Sequence, residues 1–177
     1  MYRLMNALGF QAGWWACVAS VGLELQAQAL AFCAGLVVAH LWHCARPWKE
    51  IQMAGVSLAM GIVADSLLQY FSVIQFSGIA LAPLSPLWLW MLWVMFAMTL
   101  NTSMAFLATR PWWLSAGLGA VFGPMSYVAG ARLGAAIFDA SLFHMAVLAT
   151  MWSLAMPALV FINLRIYSQE STMSLEQ

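Results

Sequence analysis

The sequence predicts an all-α fold, a polytopic membrane bundle of six transmembrane helices with cytoplasmic N- and C-termini. Of the 177 residues, 64% are hydrophobic and 7% are charged, whereas an average soluble domain has about a quarter charged residues. Several continuous apolar runs approach the ~20 residues that cross a bilayer as a helix. They lack the alternating pattern of transmembrane β-barrel strands. Short, positively charged turns separate the second run from the third and the fourth run from the fifth.

Six membrane spans are predicted, each bounded by a break in the apolar pattern. They are Leu4–Val21, Ala27–Cys44, Ile51–Phe76, Leu87–Leu107, Trp112–Phe138 and Ala140–Ile166. Residues 1–166 are therefore expected to form one transmembrane domain, followed by a short polar cytoplasmic tail over residues 167–177. Asn6 and Gln11 interrupt the first apolar run, which favours an uncleaved helix over a signal peptide.

The distribution of positive charge predicts the orientation. With a cytoplasmic N-terminus, most of the six Lys and Arg residues face the cytoplasm, and Arg132 alone lies outside. The residues on the cytoplasmic side are then Arg3, Arg46, Lys49, Arg110 and Arg165. This asymmetry matches the positive-inside bias of membrane proteins.

Charge and cysteine content exclude several classes of function. The formal net charge is zero and no cluster of Lys and Arg occurs, so a nucleic-acid partner is not expected. Cys17, Cys33 and Cys44 are odd in number and lack CxxC spacing, which favours packing over a disulfide or metal set. No metal site and no other cofactor is predicted.

The third span carries a polar stripe. Ser57, Gly61, Asp65, Gln69 and Ser72 recur every three or four residues, which places them on one face of a helix. In the predicted span Asp65 lies near the middle of the bilayer, where an ionised carboxylate costs at least ~2.5 kcal/mol. This side chain must be paired, hydrated or protonated, and the stripe must face protein or water.

Counting along the predicted helices places further polar residues near this stripe. Thr99 and Asn101 are expected as neutral hydrogen-bond partners of Asp65, and Gln69 shares a level with Tyr127. Arg132 and His144 lie farther outward, so the polar residues would form a ladder that opens to the outside. The candidate ligand-binding residues are Asp65, Gln69, Asn101, Tyr127, Arg132 and His144. The alternative is a structural role, because intramembrane polar side chains commonly join helices.

The fifth span contains the segment GPMSYVAGARLGA, which combines small residues, a proline and an arginine. Gly119 and Gly123 have GxxxG spacing, which lets a neighbouring backbone approach closely. Pro124 cannot donate to the helix ladder and predicts a kink below Tyr127. Arg132 can extend to lipid phosphates, pair with an acid or bind an anionic group.

The segments PLWLWMLWVMFAMTLNTSMAFL and GAVFGPMSYVAGARLGA resemble the bacterial inner-membrane family catalogued as domain of unknown function 2878. Asp65 also matches the family pattern. The other residues that carry the resemblance are Gly123, Pro124, Tyr127, Gly130, Arg132, Leu133 and Gly134. The resemblance implies a multi-pass protein of the bacterial inner (cytoplasmic) membrane. It also implies a lipid or envelope-stress context, since members look as if they are encoded near enzymes that modify membrane fatty acids.

The leading hypothesis is a membrane protein that binds an amphipathic, lipid-derived ligand or supports lipid-modifying enzymes, without covalent chemistry of its own. Membrane lipids, lipid-modifying enzymes and a second copy of the chain are the expected partners. One alternative is an intramembrane enzyme that uses Asp65, Tyr127 and His144, although helix rise places His144 roughly 10 Å or more from Asp65. The other is a small proton-coupled transporter, which the missing internal repeat disfavours for a monomer.

Overall fold

The computed structural model describes the backbone of residues 1–173 and the side chains of residues 1–168. This part of the chain is all-α apart from two strands of two residues each. Its six α-helices are α1 (Tyr2–Leu23), α2 (Gln26–His43), α3 (Pro47–Tyr70), α4 (Leu87–Leu100), α5 (Trp112–Arg132) and α6 (Leu142–Met173). A 3₁₀ helix (Ala105–Thr109) follows α4, and the strands β1 (Gln75–Phe76) and β2 (Ala136–Ile137) pair antiparallel.

Local sequence explains where several helices begin and end. Pro47 starts α3 at a position where its missing N–H has no helical partner to lose. Pro86 and Pro111 directly precede α4 and α5. Glu24 adopts a left-handed conformation with φ of 58°, and its N–H bonds the Ser20 carbonyl, which ends α1 before α2 turns back.

Four helices differ from their predicted spans. The helix α3 is Pro47–Tyr70 instead of Ile51–Phe76, and α5 ends at Arg132 instead of Phe138. The helix α4 ends at Leu100 instead of Leu107, because Asn101 and Ser103 use their side chains for contacts with other helices and the backbone turns there. The helix α6 runs beyond Ile166 to Met173, so Tyr167 belongs to a helix and not to a polar tail. Residues 174–177 of the predicted tail lie outside the described residues.

Successive helices run antiparallel, with Tyr2 beside His40 and Glu50 beside Asn101, which gives the bundle two distinct ends. We call the end that contains the α2–α3 turn and the segment between α4 and α5 the positive end. Four tryptophans, Trp42, Trp48, Trp112 and Trp113, are exposed there, as expected for an aromatic belt. We call the opposite end, with β1 and β2, the loop end. There the Ile79 N–H donates to Gln26 Oε1 at 2.7 Å.

The helix α4 forms the centre of the bundle. It contacts α1, α2, α3 and α6, and Trp93, Ala97 and Met98 are among its many buried side chains. Its sequence is apolar on all sides, which is typical of a helix surrounded by others. The polar stripe of α3 packs against one of its faces, through Ser57 and Asp65.

Glycines on α5 bring this helix close to α6, as the GxxxG spacing predicts. A side chain at Gly119 would collide with the Trp152 carbonyl oxygen and with Met156. At Gly123 it would collide with the Trp152 ring. Pro124 and Pro157 lie within α5 and α6, and both helices continue past them.

Three helices of the described chain are long and apolar enough to cross a membrane. They are Pro47–Tyr70, Trp112–Arg132 and Leu142–Ser168. The helices α1 and α2 carry polar side chains such as Asn6, Gln28 and His40, which lower their apolar character. The helix α4 is strongly apolar but has only 14 residues, a length of about 21 Å.

We predict that Gly119→Ala lowers the free energy of unfolding by about 1–3 kcal/mol, because the new methyl group meets a backbone carbonyl that cannot rotate away. The measurement is unfolding of the purified protein in detergent. Gly117→Ala is the matched control, since a side chain there meets nothing within 4 Å. Equal stability of the two variants would contradict the close α5–α6 contact.

Candidate functional site

The first polar cluster of the interior is centred on Asp65, which is 0% exposed. Its Oδ2 accepts a hydrogen bond of 2.7 Å from Trp93 Nε1, and its Oδ1 accepts one of 2.5 Å from the Tyr127 hydroxyl. Asp65 lies on α3, Trp93 on α4 and Tyr127 on α5. One carboxyl group therefore joins three helices.

The surroundings of this carboxyl group are built by small and aromatic residues. Ser57 Oγ donates to the Trp93 carbonyl at 2.8 Å, and Gly61 gives the Trp93 ring the space that any side chain would fill. Trp152 stacks on Trp93 with a centroid distance of 4.9 Å and an interplanar angle of 3°. From Ser57 to Asp65 the stripe faces protein, as predicted.

The predicted partners of Asp65 were wrong. Thr99 Oγ1 donates to the Phe96 carbonyl at 2.6 Å, and Asn101 pairs with Asn163 at the positive end. The reason is the position of α3, which begins at Pro47 and ends at Tyr70, not at Ile51 and Phe76. Asp65 is consequently near the loop end of α3, at the level of Trp93 on α4.

The remaining members of the predicted ladder are separate. Gln69 lies one turn beyond Asp65, and its buried Oε1 has no hydrogen-bond partner among the described residues. Arg132 is exposed at the end of α5 and forms no side-chain hydrogen bond or ion pair with any described residue. His144 Nδ1 lies 2.8 Å from the Asp139 carbonyl. The fold therefore joins Asp65 to Tyr127 but not to Asn101, Arg132 or His144.

A second polar cluster lies at the positive end, around the Glu50 carboxylate, which is 2% exposed. Glu50 Oε1 accepts hydrogen bonds from the Tyr167 hydroxyl at 2.8 Å and from Asn101 Nδ2 at 3.2 Å. Asn101 and Asn163 exchange two further hydrogen bonds of 2.9 and 2.7 Å. This network connects the beginning of α3 with the end of α4 and with α6.

The other Glu50 oxygen points toward the end of α2. Glu50 Oε2 lies 3.4 Å from His40 Nε2, yet neither atom has a hydrogen-bond partner. The Cys44 sulfur lies within 4.8 Å of a ring nitrogen of His40 and of a carboxylate oxygen of Glu50. Burial raises the pKa of the Cys44 thiol, opposed in part by a hydrogen bond from the Arg46 N–H. Three potential metal-ligating atoms thus converge without any mutual hydrogen bond.

Sequence reasoning missed this second cluster because residues 46–50 were interpreted as a charged turn. Two signals could have found it. Pro47 is favourable at the first position of a helix, which puts Glu50 on the first turn of α3. His40 and Cys44 are four residues apart, so they share a face at the end of α2.

The described residues form at least two clefts on the surface of the bundle. The α1–α2 cleft, of about 440 Å³, has a mostly apolar wall and a polar end. It is lined by Tyr2, Met5, Asn6, Gly9, Phe10, Leu36, Val37, Ala39, His40, His43, Met95 and Met98. The α1–α5 groove, of about 580 Å³, is lined by apolar side chains from α1, α4, α5 and α6, with Gln11 and Ser126 as its polar residues.

Comparison with known proteins gives a family and no activity. The model of the family described as "Protein of unknown function (DUF2878)" matches residues 3–158. The chain belongs to this family. Neither a curated protein nor a solved structure matches it.

The part of the chain that matches the family contains the whole Asp65 cluster, with Trp93 and Tyr127, and also Glu50. It ends at residue 158, before Asn163 and Tyr167. Two of the side chains that hydrogen-bond within the Glu50 network therefore come from outside the matched segment.

We predict that Tyr127→Phe lowers the free energy of unfolding by about 1–3 kcal/mol, because Asp65 Oδ1 loses its donor inside the bundle. When Asp65 has already been replaced by Asn, Tyr127→Phe should lower the free energy of unfolding by less. The coupling energy of this double-mutant cycle is expected to be about 0.5–3 kcal/mol.

Tyr70→Phe is the matched control for this cycle, since Tyr70 is largely exposed at the end of α3 and its loss of a hydroxyl should leave stability unchanged. The free energy of unfolding in detergent is measured for the four proteins of the cycle and for the Tyr70→Phe control. Strictly additive effects of Tyr127→Phe and Asp65→Asn would show that the hydrogen bond does not join the helices.

Proposed function

We propose that this member of the family is a multi-pass protein of the bacterial inner membrane that binds an amphipathic, lipid-derived ligand. In this proposal all six helices cross the bilayer and both termini are cytoplasmic. Three helices that are long and apolar enough for a membrane support it. The charge distribution supports the orientation, because the positive end would then face the cytoplasm.

The observation that carries the ligand proposal is the α1–α2 cleft. Its volume of about 440 Å³ lies within the ~300–1,000 Å³ range of small-molecule sites. Its wall is formed by side chains such as Phe10, Leu36 and Met95, and its polar end by Tyr2 and His40. Apolar walls suit a hydrocarbon tail, and hydroxyl and imidazole groups suit a polar head.

The polar end is held in place by contacts within the bundle. Asn6 Nδ2 donates to the Met98 carbonyl at 3.3 Å, and Asn6 Oδ1 accepts from Ser103 Oγ at 2.8 Å. The His43 ring Nδ1 lies 2.8 Å from the Ala39 carbonyl. Fixed polar groups lower the cost of ordering a site when a ligand binds. The head group is therefore proposed to lie at the positive end, near the cytoplasmic surface.

This proposal moves the ligand away from the predicted outward ladder. Neither cleft is lined by Asp65, whose two oxygens already accept hydrogen bonds. We therefore propose a structural role for Asp65 and Tyr127. Ligand binding by Gln69, Asn101, Arg132 and His144 stays a prediction, as do partnership with lipid-modifying enzymes and a homodimer.

No observation favours the alternative functions. The proposed enzyme would need Asp65, Tyr127 and His144 together, and His144 instead contacts Asp139. A proton-coupled transporter would use Asp65 as its carrier group, and that hypothesis stays open for a dimer.

The orientation predicts the location of two segments. At Trp48 only a reporter that works in the cytoplasm should be active. At Ala82 only a reporter that works in the periplasm should be active. Paired reporter fusions in bacterial cells make the measurement. A periplasmic signal at Trp48 would overturn the orientation and with it the cytoplasmic position of the cleft.

The ligand proposal is tested by filling the cleft. Gly9 lines it, and a side chain there meets nothing within 4 Å, so Gly9→Leu should fill the cleft without disturbing the helix packing. We expect the purified variant to lose at least about nine tenths of the lipid that native mass spectrometry detects on the unmodified protein, which corresponds to about 1.4 kcal/mol of binding free energy.

Gly55→Leu is the matched control, since Gly55 is exposed on α3, has open space around it and lies outside both clefts. It should retain the lipid. Equal lipid content in the two variants, or no lipid on the unmodified protein, would refute the proposal.

A further inference from the structure

His40, at the polar end of the α1–α2 cleft, also faces Cys44 and Glu50, which do not line the cleft. The Cys44 sulfur, a ring nitrogen of His40 and a carboxylate oxygen of Glu50 lie within 4.8 Å of one another, and His40 Nε2 is 3.4 Å from Glu50 Oε2. The side chains of His40 and Glu50 are buried, 9% and 2% exposed. His40 Nε2 and Glu50 Oε2 have no hydrogen-bond partner among the described residues. Buried polar atoms that lack a hydrogen-bond partner are unfavourable, so both atoms are available to bind a further ligand.

We propose that His40, Cys44 and Glu50 bind a divalent transition-metal ion of the Zn²⁺ type. An imidazole, a thiolate and a carboxylate are the three ligand types that zinc takes in proteins. The thiolate and imidazole disfavour Mg²⁺ and Ca²⁺, which prefer oxygen ligands. Three protein ligands leave the fourth tetrahedral position to water or another small ligand.

The distance between the His40 and Glu50 ligand atoms fits a tetrahedral ion. Two ligands that are each about 2.0–2.1 Å from zinc lie about 3.4 Å apart in a tetrahedral site, and His40 Nε2 and Glu50 Oε2 are 3.4 Å apart. No separation in the group exceeds a tetrahedral edge by more than about 1.4 Å. Cys44 caps α2 and is half-buried, which leaves its side chain room to close this gap.

Neighbouring side chains orient two of the three ligands. Tyr167 and Asn101 donate to Glu50 Oε1, which turns Oε2 toward the other ligands. The Tyr2 hydroxyl lies 3.3 Å from His40 Nδ1. If Nδ1 donates to this oxygen, Nε2 keeps a lone pair for the metal. Such outer hydrogen bonds are typical of metal sites.

The opposing explanation is an ion pair between a protonated His40 and Glu50. In that case both ring nitrogens of His40 carry protons, so Nε2–H faces Glu50 Oε2 at 3.4 Å and Nδ1–H faces the Tyr2 hydroxyl at 3.3 Å. This explanation gives the Cys44 sulfur no role. It predicts that the protein binds no metal at this position, so metal binding and its dependence on Cys44 separate the two.

The test uses the full-length protein in detergent, freed of metal with a chelator and then titrated with Zn²⁺ or Co²⁺. We expect about one ion per chain to remain after desalting, and a thiolate-to-Co²⁺ charge-transfer absorption in the near ultraviolet. Cys44→Ser should abolish this absorption and weaken Zn²⁺ binding at least about tenfold. Because Cys44 is half-buried and outside the helices, this variant should fold.

Cys33→Ala is the matched control, since its thiol is buried against Cys17 between α1 and α2 and should not affect the metal. Glu50→Gln tests the carboxylate and should also weaken Zn²⁺ binding at least about tenfold. If this variant does not accumulate in the membrane, the result for Cys44→Ser alone decides whether the proposal holds. Absence of a stoichiometric ion, or binding that survives Cys44→Ser, would overturn the proposal. The result is independent of lipid retention, which the Gly9→Leu variant measures.

Discussion

The bundle depends on the carboxyl group of Asp65. In an apolar interior each polar atom needs a partner, and the donors that Asp65 accepts from, Trp93 and Tyr127, come from two other helices. Removing either donor leaves a buried acceptor, and removing Asp65 leaves two buried donors. The contact thus specifies how α3, α4 and α5 pack. Apolar contacts alone specify helix packing only weakly in a membrane, because lipid tails are as apolar as leucine side chains.

The Glu50 network complements this contact at the other end of the molecule. Trp93, in the first half of α4, is tied to Asp65, and Asn101, directly after its last residue, is tied to Glu50 and Asn163. Between these points the helix packs through apolar side chains. Polar contacts therefore fix the position of α4 along its axis, while apolar contacts fill the space around it.

Much of this arrangement could be predicted from sequence. Long apolar runs with few charges predicted the helices, and the spacing of Gly119 and Gly123 predicted the close approach to α6. The inward stripe of α3 followed from its three-to-four-residue period, because a carboxyl group in an apolar helix must face protein or water.

The partners could not be predicted, because counting along helices needs the true helix ends. An error of a few residues at the start of α3 shifted Asp65 relative to α4, so Thr99 and Asn101 replaced Trp93 as expected donors. Trp93 could not be recognised as a hydrogen-bond donor, because it lies within an apolar run of the sequence. Glu50 was missed because a charge next to a proline resembles a turn, although the same proline begins a helix.

The central position of α4 has a consequence for biosynthesis. The ribosome releases residues in chain order, so α1, α2 and α3 leave it before the helix that they surround. During that interval Asp65 has no hydrogen bond from Trp93. The hydrogen bond from Tyr127 can form only later, when α5 has been synthesised. The complete set of hydrogen bonds around Asp65 can therefore form only after α5 has been synthesised, which couples final assembly to the synthesis of the second half of the protein.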